Sequence, residues 1–339
     1  MTSRRLPVVG AFALLIILGI VLAGCTTQPP ATPPATTPAT TAPATTAPAT
    51  TATPAATANT TAHKPGELLI ATTTSLYDTG LLNKVQDLYQ NETGIIVKIT
   101  SQGTGQSIEL AKRGDVDLLL VHSPSQEKTF MDDGYGLNQR CFAYNYFIIV
   151  GPQNDPAKIA NMTPEAAFAK ILALGKNNTA GVLFASRGDK SGTHTAEQGI
   201  WGKAGFNYTK DVTGPWYLSI GKGMGDTLVF ASQKGAYTLS DEGTYLAYKG
   251  QQNLVPLVTE GGALLNRYSA IAVNPAKNPN VNIKEADRFI NWLISKEGLG
   301  VVGDFGTEKY GKSLFTPLSP DVCVAAPFNC TCAGEVAPV

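Results

Sequence analysis

Three times in its first folded stretch, this chain passes from a short apolar run through a polar loop into a run with helical spacing. That alternation restricts the fold to an α/β sheet. Leu68-Leu69-Ile70-Ala71 reads as a strand that enters the loop Thr72-Thr73-Thr74-Ser75. Asp78 is placed to cap a helix in which Leu81, Leu82, Val85, Leu88 and Tyr89 share one face, and Gly94 ends it. Residues 95–100 form the next predicted strand, and Ser101-Gln102-Gly103-Thr104-Gly105 leads from it into a helix over 106–113. Asp117 opens a third, buried strand that runs to Val121. Open α/β sheets hold ligands at the C-terminal ends of their strands, which is where these polar loops fall.

A second αβ series follows. Residues 144–150 read as a strand, and Gly151-Pro152 then breaks the chain at a predicted crossing between lobes. Residues 181–185 enter the stretch Ser186-Arg187-Gly188-Asp189-Lys190-Ser191-Gly192-Thr193-His194, and Gly221 to Gly225 opens another helix before a strand at 236–240. A strand at 269–273 returns the chain, and a helix over 283–296 that ends at Gly298 completes the first lobe. The expected organisation is therefore lobe 1 over 66–150 and 270–320, lobe 2 over 151–269, and a cysteine-containing tail over 321–339. A chain that leaves one lobe, builds another and comes back suits a hinge-closing binding protein, and it also occurs in enzymes.

The stretch from Ser186 to His194 is the most informative chemically. Hydroxyls, an always-charged guanidinium and backbone N–H groups at a helix start can all donate to an oxyanion, and the helix dipole favours negative charge there. With the Thr72 to Ser75 cluster it forms two halves of one expected anion pocket. Asp189 has three readings: orienting Arg187, capping the helix that starts near Ser191, or accepting a proton from the ligand. His194 is expected at the surface or behind the ligand contacts and not among them, and Asp241 and Glu242 are expected to serve a turn.

The ends of the chain point to export. Arg4 and Arg5 precede an apolar run over 6–23, and Leu22-Ala23-Gly24-Cys25 has the form of a bacterial lipobox that leaves Cys25 lipidated. An uncleaved transmembrane anchor is the other reading. Residues 26–65 are dominated by Thr, Pro and Ala, a composition unable to bury a core, and read as a semi-extended tether. Sequons at Asn59, Asn91, Asn161, Asn177, Asn207 and Asn329 fit an exported chain. Lys plus Arg and Asp plus Glu balance at 26 each, which excludes a basic nucleic-acid surface and leaves any anion selectivity local. Apart from Cys25, four cysteines remain: Cys141, Cys323, Cys330 and Cys332. They permit two disulfides in three connectivities, and a bond between Cys330 and Cys332 would be strained. The cysteines lack a paired C-x-x-C, and His63, His122 and His194 are scattered, which argues against a metal site.

Several segments together resemble the type II periplasmic-binding-protein family and, within it, the tungstate-binding receptors of Tup-type ABC importers. They are Ala71 to Ser75 with Asp78 to Leu82, Gly114 to His122, Ser186 to Thr193 with Glu197, and Tyr237 to Asp241. The resemblance covers nearly all of 66–320. It implies a two-lobed α/β receptor that is not an enzyme and carries no cofactor or metal. It also implies a permease with its ATPase as partners, and an anchored position on the outer face of the cytoplasmic membrane. The ligand contacts it implies are Thr73, Thr74, Ser75, Arg187, Ser191 and Thr193, with Thr104 and Ser240 added by loop position. The Thr-rich tether and the tail depart from the family pattern.

Tungstate and molybdate are unprotonated tetrahedral dianions at neutral pH, so their site needs donors all round and no acceptor. Phosphate keeps a proton that a carboxylate such as Asp189 could accept, and a phosphate receptor is therefore the competing reading. An exported phosphate-processing enzyme and a stalked adhesin are further alternatives. The enzyme is disfavoured because there is no Gly-x-Ser-x-Gly elbow and no His/Asp cluster of metal spacing.

Overall fold

The computed structural model describes residues 63–323 and, beyond them, 326–328, 330–332, 334 and 336. The expected signal segment with Cys25 and almost all of the tether lie outside the described residues. Along the chain the elements are β1 (Glu67–Thr73), α1 (Thr74–Asp78), α2 (Leu81–Thr93), β2 (Ile96–Gln102), α3 (Thr104–Arg113), β3 (Leu118–Val121), α4 (Pro124–Asp132) and the long β4 (Gly136–Gly151). There follow α5 (Pro164–Lys176), β5 (Phe184–Ser186), α6 (Gly192–Lys203), α7 (Tyr208–Asp211), β6 (Tyr217–Ser219), α8 (Met224–Lys234), β7 (Thr238–Asp241), α9 (Glu242–Ala247) and β8 (Val255–Val258). The chain then returns through β9 (Leu265–Val273), α10 (Ile283–Leu293), α11 (Lys296–Asp304), α12 (Thr307–Tyr310), β10 (Thr316–Pro317) and α13 (Pro320–Cys323).

In the main sheet the strands run β10-β4-β9-β3-β1-β2, and β7 and β8 pair with the far end of β4; β5 and β6 form a small second sheet. The architecture is two-lobed α/β. Residues 136–146 of β4 pair antiparallel with β9, whereas Phe147 to Gly151 pair with β7 and β8. The change of partner therefore occurs inside β4, after Tyr146, and not at the Gly151-Pro152 break. An unbroken strand shared by two sets of partners keeps its backbone bonds satisfied through the crossing, which a break would not. One pair of apolar cores is built on β1, β3, β9 and the first half of β4, and gathers Leu68, Ile70, Phe142, Phe289, Leu119 and Ile271. The other pair gathers Phe147, Phe168, Trp201, Tyr237, Ile148 and Leu228 around the second half of β4.

Several expected element boundaries shift. Asp78 does not cap the second helix: it ends α1, and Gly80, in the left-handed region at φ 87°, occupies the cap position of α2. The helix expected over 283–296 stops at Leu293, and Ser295 caps α11 by accepting from the Gly298 N–H. Gly298 is thus inside the first turn of a new helix, where a Cβ would lie 2.3 Å from the Trp292 carbonyl. Asp241, expected to serve a turn, caps α9 and is buried.

Disulfides join Cys141 to Cys330 and Cys323 to Cys332, so Cys330 and Cys332 do not pair with each other. The first ties the tail to β4 and the second closes a short loop within the tail. No described helix is long and apolar enough to cross a membrane.

Candidate functional site

Strands β1, β2, β5 and β7 each lead into a helix, β5 through the loop over 187–191, and the polar residues of the sequence patterns sit at these junctions. Thr72 and Thr73 are the last residues of β1, and Thr74 and Ser75 open α1, so the expected loop is a direct strand-to-helix turn. Thr73 is its cap and accepts from the Leu76 N–H. Thr72 faces the sheet and donates to the Leu120 carbonyl at 3.0 Å.

The arginine loop crosses to meet this turn. Arg187 is 1% exposed, and its Nη2 donates to Thr74 Oγ1 at 2.9 Å and to Asp189 Oδ2 at 2.5 Å. Asp189 Oδ1 accepts from the Ser191 N–H at 3.1 Å, so this carboxylate both orients the guanidinium and braces the helix start. Ser191 caps α6 by accepting from the His194 N–H. Gly188 has φ 62°, and a Cβ there would lie 2.0 Å from Ser219 Oγ, so only glycine fits. Lys190, a non-glycine residue at φ 59°, is held there by its N–H donating to His194 Nδ1 at 3.0 Å. His194 is therefore a buried brace, extended through its Nε2 to the Tyr208 hydroxyl.

The third junction closes against the arginine loop. Gly103 and Gly105 stand so near Asp189 and Lys190 that a Cβ on either would lie 3.1 Å from their backbone oxygens, and the Gly105 N–H donates to the Lys190 carbonyl. Met224 N–H, at the start of α8, donates to Thr74 Oγ1 at 3.3 Å, and Thr244 donates to the Ser75 carbonyl at 3.0 Å. Asp78 accepts from the Gly225 N–H at 3.3 Å, which is its actual role.

Within this cluster, the Arg187 Nε and Nη1, Thr104 Oγ1, Thr193 Oγ1 and Gln102 Nε2 are buried without a hydrogen-bond partner. Buried donors are nearly always satisfied, and each one left unmade costs about 1–3 kcal/mol, more for a charged group. A concentration of such donors beside a guanidinium is built to receive an acceptor-only group.

Of the sequence-predicted residues, Thr74, Arg187 and Ser191 are brought together through the Asp189 bridge, and Ser75, Thr73, Thr104 and Thr193 lie on the turns packed around them. Ser240 stands apart: it is buried on β7, its hydroxyl donates to the Asp241 carbonyl at 2.9 Å, and no described hydrogen bond joins it to the others. Its place differs from the others because β7 ends one residue later, at Asp241, which keeps Ser240 within the strand.

Two contributors were not singled out from the sequence. Gln102 was legible only as one of several polar residues in its loop. His122 lies beneath the site with its Nε2 2.9 Å from Ser75 Oγ and its Nδ1 2.7 Å from Asn266 Oδ1, a partner 144 residues away. Burial holds its imidazole well below the ordinary range, at about 4, against the Asn266 bond that favours the charged form. Burial likewise raises Asp241 to about 6 and Glu197 to about 7, although Thr244 and Ser186 respectively donate to them. Glu197 takes three donors, from Ser186, Tyr217 and Trp201, and so fixes the end of β5 behind Arg187. Among the described residues no group of His, Cys, Asp and Glu could hold a metal ion.

Comparison with known proteins agrees with this architecture. A family model described as the PBP superfamily domain matches residues 39–297. The tungstate-binding protein TupA of Peptoclostridium acidaminophilum is 41% identical over 252 residues, 74% of this chain and 86% of that protein. The crystal structure of the tungstate ABC transporter from Geobacter sulfurreducens is 40% identical, with a TM-score of 0.62 over 70% of this chain and 98% of that one. TupA from Desulfovibrio alaskensis G20 is 41% identical, with a TM-score of 0.60 over 75% and 99%. The chain belongs to the periplasmic-binding-protein superfamily and, within it, to the family of the TupA proteins.

Proposed function

We propose that this protein is the extracytoplasmic receptor of an ABC importer, which captures tungstate, and molybdate as a second cargo, between its two lobes. It binds its solute and performs no chemistry on it. The observation that carries the reading is the set of buried, partnerless donors on Arg187, Thr104, Thr193 and Gln102. An unprotonated dianion supplies only acceptors, and about six charge-assisted bonds at roughly 1.5–3 kcal/mol each suffice for sub-micromolar affinity after the costs of association. The names of the relatives support tungstate as that dianion. Thr73, Thr74, Ser75, Thr104, Arg187, Ser191 and Thr193 form the proposed ligand set; Ser240 is the weakest member because its hydroxyl is already engaged.

Asp189 bears on the phosphate alternative. Its two oxygens are engaged by Arg187 and by the Ser191 N–H, which favours a supporting role over acceptance of a ligand proton. The two lobes, parted where β4 changes partners after Tyr146, would close about the β4 and β9 strands and present the closed form to the permease and its ATPase. The disulfides suit an oxidising compartment. Lipidation of Cys25 and the Thr/Pro/Ala tether would hold the receptor at the outer membrane face. Equilibrium dialysis against tungstate with elemental analysis of the protein tests the proposal: one tungsten per chain is expected, and none retained at micromolar concentration would refute it.

A further inference from the structure

We infer that His122 sets the polarity of the hydrogen bond at Ser75 and takes up a proton when the oxyanion binds, so that capture of the dianion is coupled to pH through one buried imidazole. This rests on the oxyanion reading above and assigns it a positioning residue outside the ligand set.

The argument begins with Asn266. Its amide nitrogen donates to Asn145 Oδ1 at 2.8 Å and to the Tyr268 hydroxyl at 2.8 Å, which turns its carbonyl oxygen toward His122. Asn145 and Asn266 are opposed residues of β4 and β9, so the orientation is set by the strands that join the lobes. His122 Nδ1 must then carry the hydrogen that meets Asn266 Oδ1 at 2.7 Å. In the neutral ring this leaves a lone pair on Nε2, 2.9 Å from Ser75 Oγ.

Ser75 has one hydroxyl hydrogen, and that lone pair claims it. The other acceptor in reach, Thr73 Oγ1, is at 3.3 Å. With its hydrogen given to His122, Ser75 can present only oxygen lone pairs to a ligand, which an unprotonated dianion repels. If the hydrogen turned to the anion instead, two lone pairs would face each other across the Ser75–His122 contact. Protonating Nε2 removes the conflict: the imidazolium donates to Ser75 Oγ, the serine hydrogen is released to the anion, and a positive charge is placed behind it.

The surroundings permit the change but do not force it. Arg187 opposes a positive charge on His122 and Asp189 favours it, while burial holds the ring neutral, at about 4. The remaining neighbours are the Tyr268 ring stacked at 5.0 Å, the Phe147 ring at 6.0 Å, and Gly192, where a Cβ would lie 2.8 Å from the imidazole. Among the described residues no carboxylate hydrogen-bonds either ring nitrogen, and Asp189 acts on it only at a distance and against Arg187, so a bound anion adds the negative charge that would raise it. Affinity should then rise as pH falls through the raised value of the complex, and level off near that of the free protein.

The test is calorimetric titration of the full chain with sodium tungstate at neutral pH, in buffers of low and high ionisation enthalpy, for the wild type, His122→Gln and Ser75→Ala. Wild-type binding is expected to take up more protons per anion than either variant, by up to one. Its affinity should strengthen by up to about tenfold per pH unit lowered from pH 8 to 6, with a flatter profile in both variants. The ring nitrogen NMR shifts of His122 in the unmutated chain should move from a neutral tautomer to imidazolium on adding tungstate. Tight wild-type binding with no proton uptake and a neutral His122 ring would overturn the inference and leave the receptor function standing. Equal uptake in wild type and variants would overturn it too, and would point to Glu197 or Asp241. Failure of the wild type to bind tungstate would instead refute the function itself.

Discussion

Arg187 Nη2 donates to Thr74 Oγ1 at 2.9 Å, joining residues 113 positions apart on opposite walls of the cleft. One face of the guanidinium is spent on this bridge and on Asp189, and its Nε and Nη1 are kept for something else. On the proposed function the bridge would report closure and the spare edge ligand capture, both in one side chain.

Arg187→Lys should abolish tight tungstate binding, by about 100-fold or more, because an ammonium cannot donate in a planar fork to Thr74, Asp189 and an oxyanion together. Thermal melting without ligand should change little, since the guanidinium already carries unsatisfied buried donors. Calorimetry and melting on the same preparation separate the two effects.

Thr104→Val and Thr193→Val remove hydroxyls that are buried without partners. Each should weaken tungstate binding by roughly 10- to 150-fold, the worth of one hydrogen bond to a charged group, while leaving the unliganded protein as stable or more so. Ser240→Ala, whose hydroxyl is engaged by the Asp241 carbonyl, should change affinity less than threefold, about 0.6 kcal/mol.

Glu197 predicts a pH dependence of stability. Its folded value of about 7 lies above the ordinary 4.5, so between these values the native state holds more protons than the unfolded chain. Stability from this group is therefore full below 4.5 and is lost as pH rises through 7, by up to roughly 3 kcal/mol. His122, lowered to about 4, acts in the opposite direction between pH 4 and 6.5. Glu197→Gln should flatten the fall in melting temperature from pH 5 to 8; an equally steep fall in the variant would assign the slope to Glu127 or Asp241, which burial also raises.

The disulfides should differ in worth. Cys141 and Cys330 are 189 positions apart, and Cys323 and Cys332 only 9. On chain-entropy grounds their loss should cost about 5 and about 2.6 kcal/mol, so Cys141→Ser with Cys330→Ser should lower the unfolding midpoint about twice as far as the other pair.

Much of the site was legible because its parts are local. A hydroxyl run that follows an apolar strand, or an arginine followed by glycine before a helix, can be read without knowing what lies opposite, and Thr74, Arg187, Ser191 and Thr193 are proposed as ligand residues on that ground together with the family resemblance. A supporting role was among the readings open for Asp189 and His194 for the same reason: both act within five residues of their own loop. The residues that escaped depend on distant partners. His122, just past the end of β3, was read only as the last residue of a matching segment, because its partners Ser75 and Asn266 lie far along the chain. Asp241 reads as an ordinary turn residue until burial shows it to be a helix cap. The change of partners inside β4 was not legible because Gly151-Pro152 is the local break in the chain, whereas pairing between β4 and strands far along the sequence decides where the partners change.

The central claim is most directly tested by calorimetric titration of the protein with tungstate, repeated with molybdate, sulfate and phosphate. Sub-micromolar tungstate binding at one ion per chain, with phosphate weaker by at least about a thousandfold, is the predicted result. Preference for phosphate would contradict it and bring Asp189 into contact with the ligand, and no binding of any of the four would contradict the receptor function altogether.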